Sequence, residues 1–531
     1  GTYVDEEIID NTTITCILVE KYHCPIDNKY KNSLYISSID VSTGYSDVYE
    51  CYNNDLVLYD EISRNIYSKN PSEIILLGDI FDYNFVYNNF GSSIIHHYKT
   101  IDKKYFNAVY QYDIIEKIFD TSNYAISPVE YIGLECHGEL LGCYIYLLQF
   151  VYEHDPHIIK RIYKPEFIHS NSSLYIGGDA LYQLNLLYKN KQQLNGANTR
   201  YTCIFDVIDK TQTKMGRRLL KYRLLSPITD TDELNNRYDI IEHVKPNYKE
   251  YRNLLQNILD IEKKYRKILL KKLHPYEFSM LNESFNNIQK ILLLGKDIYN
   301  IPREDIDRFS LFYEEYLSIF DIDKLSKYNM NNIKSSFFKD GIYPEIDTAM
   351  TNINTIKNIF NSFIEYAKER GKDSIIKLDY TEKSGYSFSI TKKRWESITS
   401  INYKFTYNDK NYKILSKDFT KTAVGRTNYK LNNNVLDKLS TILAELENNI
   451  GNIVKDKYIN KLSEIGDKYS NLFDNIITHI SEIDISICSC HVSTLYAYNR
   501  PIIDNTKERS FIETTKLRHP LIERIHDNVE Y

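Results

Sequence analysis

The chain has 531 residues, of which 42% are hydrophobic and 26% charged. That is too long for one hydrophobic core and ordinary in composition; with no signal peptide and no run of 18 apolar residues, the expectation is a soluble, intracellular, multidomain protein with no membrane partner. The net charge of −6 hides two opposed segments: residues 1–125 carry 9 lysines and arginines against 19 aspartates and glutamates, whereas residues 374–432 carry 12 against 5. A polyanion is repelled by the first and drawn to the second.

Residues 12–125 read as α/β. Thr13–Glu20 and Ser33–Asp40 are β-branched or aromatic runs, and Val48–Cys51 can pair with the second across Ser42-Thr43-Gly44. Leu56–Tyr67 has a helical apolar rhythm, Asn70-Pro71 ends it, and Glu73–Leu77 is a further strand. Residues 126–300 read as mostly helical, with Leu134–Tyr152 apolar enough for a buried helix. A long helix is expected from Pro344 to Arg370, started by the proline and stopped by Gly371. A second is expected from Asn434 to Ile485, with a seam of Leu436, Leu439, Leu443, Leu446, Ile450, Val454, Tyr458, Leu462, Ile465, Tyr469, Leu472 and Ile476. Two steps of four at Ile450, Val454 and Tyr458 form a stutter, and beside Gly451 the helix is expected to bend there. Between the two helices Ile375–Tyr380, Tyr386–Thr391 and Tyr412–Leu415 are strand-like, and Lys392-Lys393-Arg394 is expected to open a loop.

The eight cysteines show no disulfide framework. Cys488-Ser-Cys490-His491 lies in an apolar helical stretch without a second ligand pair, so buried free thiols are expected there, and no metal. Asp40, Glu73, Asp79 and Asp82 could hold two metal ions as strand-end carboxylates of a nuclease, although a segment this acidic has carboxylates everywhere. The pattern G-x-x-x-x-G-K-[ST] does not occur; Gly295-Lys296 lacks the upstream glycine and following hydroxyl, and reads as a helix end.

Several motifs recur in one order. Phe205–Val244 reads FDVIDKTQTKMGRRLLKYRLLSPITDTDELNNRYDIIEHV; its key positions are Asp209, Thr211, Thr213, Met215-Gly216, Arg218-Leu219-Leu220, Arg223-Leu224-Leu225, Pro227, Leu234, Asn236-Arg237 and Asp239. Before it stand Asp40-Val41-Ser42-Thr43-Gly44 and Ile176–Asn185; after it come Asp260-Ile261-Glu262-Lys263, Gly385-Tyr386, Ile483-Asp484-Ile485, Arg500-Pro501 and Arg518-His519-Pro520. The set resembles the MutS family of DNA mismatch-repair ATPases, with Lys263 where the family usually has arginine.

The resemblance implies a fold and a division of labour. Residues 1–125 would be an α/β, RNase H-like connector. Residues 126–373 and 433–516 would form a mainly helical core with long lever helices. Residues 374–432 would be a small basic β clamp inserted at the lever tip, and 517–531 a lead-in to an ATPase domain. In the family a mismatch-reading domain precedes the connector, so the chain is expected to be a central fragment. The resemblance implies no cofactor for it, and ATP with Mg2+ for the parent protein. The partners implied are double-stranded DNA, and a second copy through the ATPase domain. Expected phosphate contacts are Lys392, Lys393, Arg394, Lys404, Lys410, Lys413, Lys417, Lys421, Arg426 and Lys430, holding the DNA backbone without base readout. Arg218 is expected to pair acids within the core. The alternatives are an interaction protein built on long helices without nucleotide chemistry, and the nuclease.

Overall fold

The computed structural model describes residues 12–24, 29–53, 55–78, 85, 90, 93–119, 121, 125–168, 174, 176–187, 201–370, 376–381, 385–396, 398, 400–424, 427–504, 506 and 509–525. The expectations at Asp79, Asp82, Gly371 and Arg426 lie outside these residues. Two compact units are formed, one from Gly1–Leu273, Glu283–Ser310 and Ile465–Tyr531, the other from His274–Asn282 and Leu311–Glu464. Among the described residues no helix is long and apolar enough to cross a membrane.

In the first unit, β1 (Thr13–Cys24), β2 (Lys29–Asp40), β3 (Ser46–Asn53), β4 (Glu73–Leu77), β5 (Ile94–Tyr98) and β6 (Glu166–Phe167) form one sheet in the order β5-β4-β1-β2-β3-β6. β1, β2 and β3 are antiparallel neighbours, while β4 runs parallel to β1 and β5 parallel to β4. Alternation along the strands sends Cys16, Leu18, Ile75 and Leu77 into one core with helix Gly138–His154. Ile17, Val19, Ile74 and Leu76 go to the other face, under Leu58, Ile62 and Ile66 of helix Asp55–Lys69. The turn expected at Ser42-Thr43-Gly44 is present: Gly44 has φ +83, and the Asp40 carboxylate accepts from the Ser42 and Thr43 hydroxyls at 2.6 and 2.8 Å. β5 and β6 are not legible in the sequence; β5 follows residues without strand alternation, and β6 is two residues long.

The forty-residue signature folds around one buried carboxylate. Asp484, fully buried on helix Ser470–Tyr496, accepts from the Gln212 and Thr213 backbone N–H groups at 2.9 and 2.8 Å, and from the Thr213 hydroxyl at 2.7 Å. Thr213 in turn caps helix Lys214–Leu225 through the Gly216 N–H. A Cβ at Gly216 would lie 2.2 Å from Asp484 Oδ2, so the Met215-Gly216 pair is a packing requirement. Arg218 pairs acids, as expected: its guanidinium makes two hydrogen bonds to Asp260 at 2.7 and 2.8 Å and reaches Glu262 as well. Cys488 and Cys490 are buried, and burial pushes the Cys488 thiol up to about 12.

The seam of the long helix is buried from Leu436 to Ile476, apart from a half-buried Leu446. The helix differs from expectation in where it breaks. It stays regular through the stutter, and the irregularity falls at Tyr469, between helices Asn434–Lys468 and Ser470–Tyr496. Gly451 marks close packing: a Cβ there would be 2.3 Å from the Ile333 carbonyl oxygen. Helix Pro344–Glu369 begins as expected with its proline in the first turn.

Candidate nucleic-acid interface

The basic segment of the second unit folds into two small antiparallel sheets. β7 (Lys377–Thr381), β8 (Gly385–Thr391), β11 (Thr420–Val424) and β12 (Asn428–Asn432) give the order β11-β12-β8-β7, while β9 (Asn402–Tyr407) and β10 (Lys410–Leu415) form a separate hairpin. Of these strands the sequence pattern marks β7, β8 and β10.

Both sheets are anchored through their apolar faces. Phe388 of β8 packs edge-on against Phe360 and Phe363 of helix Pro344–Glu369, with ring centroids 5.3 Å apart in each case. The Tyr403 hydroxyl of β9 donates to the Ile359 carbonyl at 3.1 Å. Glu447 of helix Asn434–Lys468 accepts from the Tyr386 hydroxyl at 2.9 Å and from Lys357 at 2.7 Å. Anchoring one face commits the alternate residues of each strand to the other.

In the hairpin that outward face is cationic. Tyr403 and Ile414 point inward, whereas Lys404 and Lys413 are exposed and stand directly opposite each other. The connection is a two-residue turn, Asn408-Asp409, both with positive φ. Like charges facing across a strand pair cost stability. Neither lysine has a carboxylate partner among the described residues. An anion between their ammonium groups removes that cost.

The other expected phosphate ligands that are described lie on the hairpin's ends, on the four-stranded sheet and on the short turns beside the strands. Lys410 is exposed next to the turn, and Lys417 is exposed on the short turn Ser416–Asp418. Lys392-Lys393-Arg394 opens a short helix, Lys392–Glu396, and not a loop; the Lys392 N–H donates to the Thr427 carbonyl at 2.9 Å, as the first N–H of a helix has no acceptor within it. Lys393 projects into solvent, while the Lys392 ammonium lies over the Tyr429 ring at 5.4 Å. Lys421 sits over Trp395 at 5.5 Å. Lys430 of β12 and Lys377 of β7 both flank Ser389 of β8, one on each side. Lys377, absent from the expected set, therefore shares the outer face with Lys430; strand alternation around Leu378 was the signal for it.

Of the four candidate carboxylates, the two that are described, Asp40 and Glu73, are not brought together in the way a two-metal site needs. Asp40 stands opposite Thr13 and Glu73 opposite Ile14, so the pleat sends the two side chains to opposite faces of the sheet. Glu73 pairs with His96 at 3.0 Å. Nor does Gly295-Lys296 fit a nucleotide phosphate: Gly295 closes helix Pro275–Gly295, whose carbonyl end disfavours anions.

The motif order agrees with a family match. The profile of MutS domain III matches residues 179–489, more than half of the chain. The chain belongs to the MutS family. This MutS-family chain is 26% identical, over its whole length, to a putative DNA mismatch repair protein mutS homologue of Acanthamoeba polyphaga mimivirus, of which 52% is covered. It is 28% identical to the mitochondrial DNA mismatch repair protein mutS homologue of Sarcophyton glaucum, with 88% of this chain and 47% of the relative aligned. Against the DNA mismatch repair protein MutS of Caldanaerobacter subterraneus the identity is 26%, covering 99% of this chain and 56% of the relative. The chain thus spans about half the length of the curated relatives it matches.

Proposed function

We propose that this chain is the DNA-holding and coupling middle of a mismatch-repair protein. Residues 374–432 act as its clamp, residues 1–125 as the connector, and the helices of 126–373 and 433–516 as the core and lever. The observation that carries the reading is the exposed Lys404–Lys413 pair, set on a hairpin whose other face is fixed to a long helix. Backbone phosphates answer two facing ammonium groups; base edges do not require them. Lys392, Lys393, Arg394, Lys410, Lys417, Lys421, Lys430 and Lys377 are, on this reading, further contacts to backbone phosphate. ATP and Mg2+ belong, on this reading, to the whole mismatch-repair protein and to residues other than those of this chain, as does assembly into a dimer.

Binding of the full chain to two unrelated duplexes, followed by fluorescence anisotropy at several salt concentrations, tests the reading. Equal affinities that fall steeply with salt are expected. An affinity independent of salt, or confined to one sequence, contradicts it.

A further inference from the structure

Arg266 of helix Ile261–Leu269 is 1% exposed, yet it has no carboxylate partner among the described residues. Its two terminal nitrogens donate to the main-chain carbonyls of Arg161 at 2.5 Å and Ile158 at 2.7 Å, and Nε has no partner. Burial pushes the guanidinium down only to about 10, so it is charged at neutral pH. A charge buried without a carboxylate is costly, and its hydrogen bonds to the two carbonyls offset only part of that cost.

What it holds is the turn after β2. A Cβ at Gly44 would lie 2.9 Å from Arg266 Cζ and Nε, so the guanidinium fills the space that the glycine leaves. The Gly44 carbonyl accepts from the Tyr163 N–H at 2.9 Å, which ties the turn to the segment whose carbonyls Arg266 binds. Ile158, Ile159 and Ile162 of that segment pack into the apolar core of the sheet, and polar links tie it further: the Tyr163 hydroxyl donates to Asp474 at 2.7 Å, and Arg161 pairs with Asp467. The sheet meanwhile covers both its faces with its own apolar cores. The Asp40–Gly44 motif and the segment after Asp260-Ile261-Glu262 thus meet at one side chain.

We propose that Arg266 is a latch, a single buried cation that clips the Asp40–Gly44 turn and the 158–163 segment onto helix Ile261–Leu269. Its release lets that turn and segment open while the sheet and the helices stay folded. Amide hydrogen exchange on the full chain, read peptide by peptide, tests this with Arg266→Lys and Arg266→Met. Lysine keeps the charge but gathers its donors on one nitrogen, without the planar fork whose separate nitrogens reach the two carbonyls, and methionine keeps the stem without the charge. In both variants peptides covering 40–46 and 158–163 should exchange about tenfold faster, with helices Gly138–His154 and Lys214–Leu225 unchanged. Should Arg266→Met not fold, Arg266→Lys carries the comparison. Wild-type exchange at both segments overturns the latch. So does equal acceleration of every peptide, or slower exchange in Arg266→Met, the result if the charge is only a burden.

Discussion

Arg218 serves two carboxylates that titrate in opposite directions. At Asp260 burial disfavours the charge, but the hydrogen bond and charge of Arg218 outweigh it, and the carboxyl is held below its ordinary value. At Glu262 burial prevails over the same arginine, and the carboxyl sits above its ordinary value. The signs follow from linkage: the Asp260 contribution is present above the ordinary aspartate pKa and is lost as pH falls through the lowered folded value. The Glu262 contribution is present below the ordinary glutamate pKa and is lost as pH rises through the raised one. Asp260→Asn should therefore cost about 2 kcal/mol at pH 7 in urea unfolding, and its difference from wild type should vanish in acid. Glu262→Gln should be neutral or slightly stabilising at pH 7. A Glu262→Gln protein weaker than Asp260→Asn at pH 7 would show that the arginine favours the other partner. The role of Arg218 was legible in the motif. The reason for Gly216 was not, because Asp484 and Thr213 are 271 residues apart in sequence.

At the scale of elements, the apolar seam of the long helix was legible almost residue by residue, since periodicity reports the buried face directly. The bend was misplaced because a stutter weakens a coiled-coil rhythm only where nothing else fills the gap. Here Val454 and Tyr458 are fully buried, and Gly451 lets the Ile333 carbonyl approach. Gly451→Ala should thus destabilise by about 1–3 kcal/mol through overpacking, despite alanine's better helix propensity. A rise in the thermal midpoint would contradict the close packing. β11 escaped notice because all five of its residues are exposed, leaving no alternation to read. The hairpin makes a sharper prediction. Lys413→Glu replaces a like-charge pair across β9 and β10 by an opposite one, so the variant should be a few tenths of a kcal/mol more stable and should bind duplex DNA more weakly. Weaker binding accompanied by a lower thermal midpoint would point to a structural lysine instead.

At the scale of the whole molecule, the charge distribution carried information that the net charge concealed. An overall −6 says little about partners, while 12 basic residues against 5 acidic ones over residues 374–432 marked the segment that folds into the two small sheets. The strand pairing that sets Lys404 against Lys413, and the sharing of a face by Lys377 and Lys430, could not be read from the sequence, because register is set by the turn and by the anchored face. The motif order gave the family, and the match to MutS domain III over residues 179–489 bears it out. The central claim is that the hairpin grips backbone phosphate, and the slope of log K against log salt for duplex DNA tests it most directly. The Lys404→Ala/Lys413→Ala chain should bind more weakly, with a slope shallower than wild type by about 0.9 for each phosphate the hairpin no longer neutralises. A slope identical to that of wild type would contradict it.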